Sequence, residues 1–167
     1  MTRAAFASFA LFLLSACGLQ PLYSGGSSAA VAQGLAAVDV APIQGRDGWL
    51  VRNALNDRLK LSGTDTAPRY RLDVQLDDSL EALGVLNDDT ISRERRILRA
   101  RYQLVDLASD TILLDATSGS DAGVDVVSSE YATIAAEQTA LENLAREVAE
   151  RMVRQVALTL HEVERAE

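Results

Sequence analysis

One cysteine, one histidine, two pairs of adjacent aspartates and a ladder of arginines are the side chains of this sequence that could do chemistry. His161 stands alone near the C-terminus, with no second histidine or neighbouring cysteine to complete a metal set or an activated nucleophile, and reads as a solvated helix residue. Asp77-Asp78 and Asp88-Asp89 could be imagined as paired carboxylates or calcium ligands. They lack the alternate-residue oxygens and the glycine of an EF-hand loop, and read as strand-end and turn acids. Gly25-Gly26 matches no phosphate-binding loop. The arginines differ, because Arg93, Arg95, Arg99 and Arg101 share an odd-numbered phase that a β-strand would present on one face. Arginine supplies all but one of the 16 basic residues, Lys60 being the exception, and its planar fork suits bidentate contact with phosphate. Two other readings stay open: charge on an exposed strand blocks edge-to-edge aggregation, and a GC-rich genome produces the same bias.

Cys17 has a more specific setting. One basic residue, Arg3, precedes the apolar run Ala4 to Leu14, and after Tyr23 the composition turns Gly/Ser-rich, as an export signal gives way to a mature chain. The run is too short for the roughly 20 residues that span a bilayer, which weighs against an N-terminal membrane helix. Leu14-Ser15-Ala16-Cys17 resembles a bacterial lipobox, whose cysteine thiol is alkylated by diacylglycerol before cleavage and acylation of the new amine. Residues 1–16 are then a signal peptide, and Cys17 is the lipidated first residue of the mature protein. The following Gly18 is not the aspartate that would favour inner-membrane retention.

Cleavage there leaves 151 residues, enough for one domain with an apolar core. No further cysteine remains, so the core must depend on burial alone, which 48% hydrophobic residues can supply. The 15 basic and 24 acidic residues that remain argue against sequence-independent binding to nucleic acid.

The elements that would position these groups follow from periodicity. Residues 17–34 read as a lipidated N-terminus and flexible tether, small and polar from Ser24 to Gly34. A single domain is expected over 35–167. Leu35 to Ile43 reads as a short strand, and Val51, Leu55 and Leu59 mark an amphipathic helix with Asp47 as N-cap and Ser62-Gly63 as its end. From Arg69 the period becomes two, with Tyr70, Leu72, Val74 and Leu76 facing in. Asn87 to Thr90 reads as a turn into a second alternating strand, with Leu98, Ala100, Tyr102 and Leu104 inward and the arginines outward. Ser109-Asp110 makes the next turn, and Ile112, Leu114 and Ala116 are the inward set of a fourth strand. Gly119 to Ser129 reads as a polar loop. A long helix capped by Ser128 or Ser129 follows, with Tyr131, Ile134, Leu141, Leu144, Val148, Met152, Val156, Leu160 and Val163 on its apolar stripe. Trp49, like Tyr131, reads as core or core-rim. The order βαβββα predicts an α+β two-layer sandwich: a four-stranded, mostly antiparallel sheet with two helices packed on one face.

The lipobox followed by Gly18-Leu19-Gln20-Pro21-Leu22-Tyr23, together with Tyr70-Arg71-Leu72, Ile91-Ser92-Arg93, Tyr102-Gln103-Leu104-Val105-Asp106 and Ser129-Glu130-Tyr131-Ala132, resembles the lipopolysaccharide-assembly lipoprotein family LptE. The resemblance implies the same two-layer fold and a non-enzymatic role without cofactor or metal. It implies an outer-membrane lipoprotein, anchored through the acyl chains on Cys17, with its domain on the periplasmic side and inside the lumen of the β-barrel LptD. There it would serve as plug and assembly partner and bind lipopolysaccharide on its way to the outer leaflet. Arg93, Arg95, Arg99 and Arg101 are then candidates for contact with lipopolysaccharide or with the barrel lumen. An auxiliary lipoprotein of an ABC-type lipid transporter is the alternative with a similar leader, size and domain.

Overall fold

The computed structural model describes residues 26–60, 67–85 and 91–166. Cys17, the leader, the Ser62-Gly63 helix end and the Asn87 to Thr90 turn lie outside these residues. Contacts divide the chain between Ala30 and Val31, and the fold described is that of the second unit.

Among the described residues seven elements follow one another: α1 (Gly26–Ala36), β1 (Val38–Val40), α2 (Gly45–Leu59), β2 (Tyr70–Val85), β3 (Ile91–Asp106), β4 (Thr111–Asp125) and α3 (Glu130–Ala166). The strands form one mixed sheet in the order β1-β2-β3-β4, β1 running parallel to β2 and the other two pairs antiparallel. Helices α2 and α3 cover one face, as the single apolar stripe on each requires. Val51, Leu55 and Leu59 of α2 meet Leu72, Leu98, Ala100, Tyr102 and Leu104 of the sheet and Leu144, Val148, Met152, Val156 and Leu160 of α3 in one core. The alternation of β2 and β3 is therefore borne out, with Tyr70 and Tyr102 both buried.

Several expectations are corrected. The Gly/Ser-rich stretch read as a flexible tether is helical from Gly26 to Ala36. Its Ala-Ala-Val-Ala run has high intrinsic helix propensity, and Gly34 approaches Leu160 so closely that an added Cβ would lie 3.2 Å from Leu160 Cδ1. The first strand is three residues long, not nine, because beyond Val40 the chain turns into α2 at Gly45, whose φ of 85° favours glycine. Gln44 takes the N-cap position without a side-chain cap, and Asp47 lies in the first turn, where its charge suits the helix dipole.

The expected loop from Gly119 is strand as far as Asp125, paired with Arg93 to Arg99 of β3. Small residues hide the period there: Ser118, Ser120, Ala122 and Val124 alternate on the helix side with Gly119, Asp121, Gly123 and Asp125 on the other. Leu104 pairs with Leu114 but Val105 with Ile112, so a bulge absorbs Leu113. Leu113 and Leu114 both pack on the core, while Ile112 is turned out and 53% exposed.

Helix α3 has 37 residues, about 55 Å at 1.5 Å per residue. Ser129 caps it, its Oγ accepting from the Ala132 N–H at 3.4 Å. Its buried apolar stripe runs from Ala140 to Leu160, and Tyr131 and Ile134 lie ahead of it and are exposed. Trp49 is exposed as well, because the buried line of α2 passes through Gly48, Val51 and Leu55 and leaves the next residue to one side.

Candidate functional site

Strand β3 turns Arg93, Arg95, Ile97, Arg99 and Arg101 onto the sheet face that no helix covers, spaced about 6.5 to 7 Å apart along the strand. The two neighbouring strands bring carboxylates onto the same face. Glu81, opposite Arg95 on β2, accepts from its Nη2 at 3.1 Å, and Asp125, opposite Arg93 on β4, lies 3.4 Å from Arg93 Nε. Asp115 of β4 accepts from Arg101 Nη2 at 3.1 Å and from Gln103 Nε2 at 2.9 Å. These bonds hold the Asp115 carboxyl below the usual aspartate range, the Arg101 hydrogen bond being the largest cause, and push Arg101 upward in turn.

Arg99 differs from the other three. Asp77 is its direct partner in register, yet among the described residues no carboxylate lies within ion-pair distance of the Arg99 guanidinium. Its stem rests on β4 instead: a Cβ on Gly119 would lie 3.3 Å from Arg99 Cγ. Gly123 similarly leaves room for the Arg93 guanidinium, 3.3 Å from where its Cβ would be. Larger residues at either position would push these arginines off the sheet. Arg95 Nε is buried and has no partner, so Glu81 engages only one side of that guanidinium.

The face is therefore a lattice of paired opposite charges with one uncommitted arginine. Asp125 was not legible as a partner because β4 was expected to end before Gly119, and Asp115, inside the expected strand, could be matched to Arg101 only once the register was known. Their signal is the shared odd phase of Asp115, Asp121 and Asp125.

The remaining chemical candidates fall elsewhere. Asp78 faces the helices, where it is bound to Arg96, and takes no part in a carboxylate pair with Asp77. Arg46, Asp47, Asp78, Arg96, Ile134 and Glu137 line a cleft of about 190 Å³ at that end of the helix layer. His161 is half-buried on α3. Among the described residues no three metal-ligating side chains cluster, and no helix is long and apolar enough to cross a membrane.

Comparison with known proteins gives the fold a context. The family model described as LptE, lipopolysaccharide-assembly, matches residues 35–156, from the end of α1 to the last third of α3. A structure of a candidate lipoprotein from Caulobacter crescentus CB15 is 25% identical with a TM-score of 0.65, and the match covers 78% of this chain and 95% of that one. Rare lipoprotein B from Shewanella oneidensis shares the fold at 12% identity and a TM-score of 0.56, over 75% of this chain and 99% of its own. A minor lipoprotein from Acinetobacter baumannii does so at 16% identity and 0.55, over 72% and 88%. No curated protein matches the chain significantly.

Proposed function

Since the chain belongs to the LptE lipopolysaccharide-assembly family, we propose that it is an outer-membrane lipoprotein serving as plug and assembly partner of an LptD-type β-barrel and binding lipopolysaccharide in transit. The observation that carries this reading is the extent of the family match, which takes in all four strands, α2 and most of α3. In this reading Cys17 is the lipid-anchored residue, residues 1–16 its signal peptide, 17–34 the lipidated N-terminus and 35–167 the single domain. Acyl chains contribute about 0.8 kcal/mol per buried methylene, and several chains make attachment effectively permanent.

The sheet face suits such a role without catalysis. A flat surface with guanidinium groups at strand spacing matches phosphates carried on a rigid disaccharide, or acidic side chains lining a barrel. The carboxylates already paired with three of these arginines would give way to a ligand phosphate or to an acidic barrel wall. Arg93, Arg95, Arg99 and Arg101 are its proposed contacts.

Depletion in living cells tests the reading. Lipopolysaccharide should fail to reach the cell surface while its synthesis continues, and a Cys17→Ala copy should remain an unlipidated precursor. Normal surface lipopolysaccharide after complete depletion would overturn the proposal.

A further inference from the structure

Beside the paired arginines, a cleft of about 400 Å³ opens across the free edge of β4. Ile97 and Arg99 line it from the uncovered sheet face and Arg151 of α3 from the helix side, with Thr117, Ser118 and Ser120 between them. The volume falls within the range of small-ligand sites. Gly119 is what makes the two sides continuous, since it carries no side chain at the edge and its carbonyl accepts from Arg151 Nη1. Arg151 is held in place a second time, by Glu147 at 3.6 Å, and Glu147 accepts in turn from Ser120 Oγ at 2.6 Å. One guanidinium is thus fixed and the other, Arg99, has no carboxylate partner among the described residues. Asp121 is the single carboxylate on the lining.

We infer that this edge cleft binds the phosphate of a phosphorylated sugar, with Arg99 and Arg151 on the phosphate and the Thr117, Ser118 and Ser120 hydroxyls on the sugar. Guanidinium forks suit phosphate oxygens, and hydroxyls beside them suit a polyol. The other outward arginines would have to give up a carboxylate to bind an anion, whereas Arg99 gives up only water. The inference rests on the lipopolysaccharide-binding reading and narrows it from a whole face to one cleft, including a helix residue that strand alternation does not reveal.

Full-length lipoprotein in detergent, titrated with purified lipopolysaccharide and with the same material after enzymatic dephosphorylation, tests it. Arg99→Ala with Arg151→Ala should weaken binding at least tenfold, by the loss of two charge-assisted contacts. Arg93→Ala, Arg95→Ala and Arg101→Ala together should weaken it less, and dephosphorylated material should bind wild type as poorly as native material binds the double variant. Arg99→Lys with Arg151→Lys keeps both charges and should recover part of the loss, which separates ligand contact from a merely loosened edge. A double variant that binds like wild type, or equal binding of dephosphorylated material, would overturn the cleft. Wild type that binds neither form would overturn the reading beneath it.

Discussion

Arg96 and Asp78 grip each other from adjacent strands on the helix side of the sheet, Nε to Oδ1 at 2.9 Å and Nη2 to Oδ2 at 2.5 Å. Arg96 Nη1 also donates to the Glu137 carbonyl at 3.1 Å, so one guanidinium ties β2, β3 and α3 together. The hydrogen bond it donates to Asp78 is the main cause that raises the Arg96 pKa, against the opposing effect of burial. The pair closes the core at this end, for Leu80, next on the same face of β2, is 43% exposed.

Removing one partner leaves the other largely desolvated. Asp78→Ala should therefore destabilise the domain by roughly 2 to 3 kcal/mol, somewhat below the cost for a fully buried pair. Asp125→Ala, which breaks an exposed pair with Arg93, should cost about 0.5 kcal/mol or less. Urea unfolding midpoints of the two variants check this, and equal shifts would contradict it.

Gly48 lies inside α2, where alanine would ordinarily gain about 1 kcal/mol of helix propensity. Here an added Cβ would meet the Ile43 carbonyl carbon and oxygen at 2.8 Å. Backbone cannot move aside as a flexible side chain can, so Gly48→Ala should lower stability by roughly 1 to 3 kcal/mol. Thermal unfolding measures the sign directly.

Asp115 gives an acid dependence of defined direction. Its pKa is lowered in the folded state, chiefly by the hydrogen bond from Arg101, so its contribution is present above the unfolded aspartate value and is lost as pH falls through the folded one. The stability gap between wild type and Asp115→Asn should stay constant from neutral pH to the ordinary aspartate range and close below it. Carboxyl NMR titration should place the Asp115 midpoint below that of a free aspartate, and Arg101→Ala should move it upward.

These tests also mark what the sequence made readable. The large apolar residues of β2, β3 and α3 announce their period, and Leu72, Leu98, Leu104, Leu144 and Met152 are buried as that period requires. Where small residues carry the pattern the signal fails: the outer half of β4 and helix α1 both read as irregular because Gly, Ser and Ala bury little area each. The arginine ladder was legible as a ladder. Its pairing was not, since Glu81, Asp115 and Asp125 reach it only through strand register, and Arg151 reaches the edge cleft only through the packing of α3 beside β4.

Tagged full-length protein, solubilised from outer membrane and purified, tests the central claim most directly. A large β-barrel of the LptD type should co-purify in stoichiometric amount through a high-salt wash. Recovery of the lipoprotein without any such barrel, or with inner-membrane components of an ABC-type transporter in its place, would contradict the account.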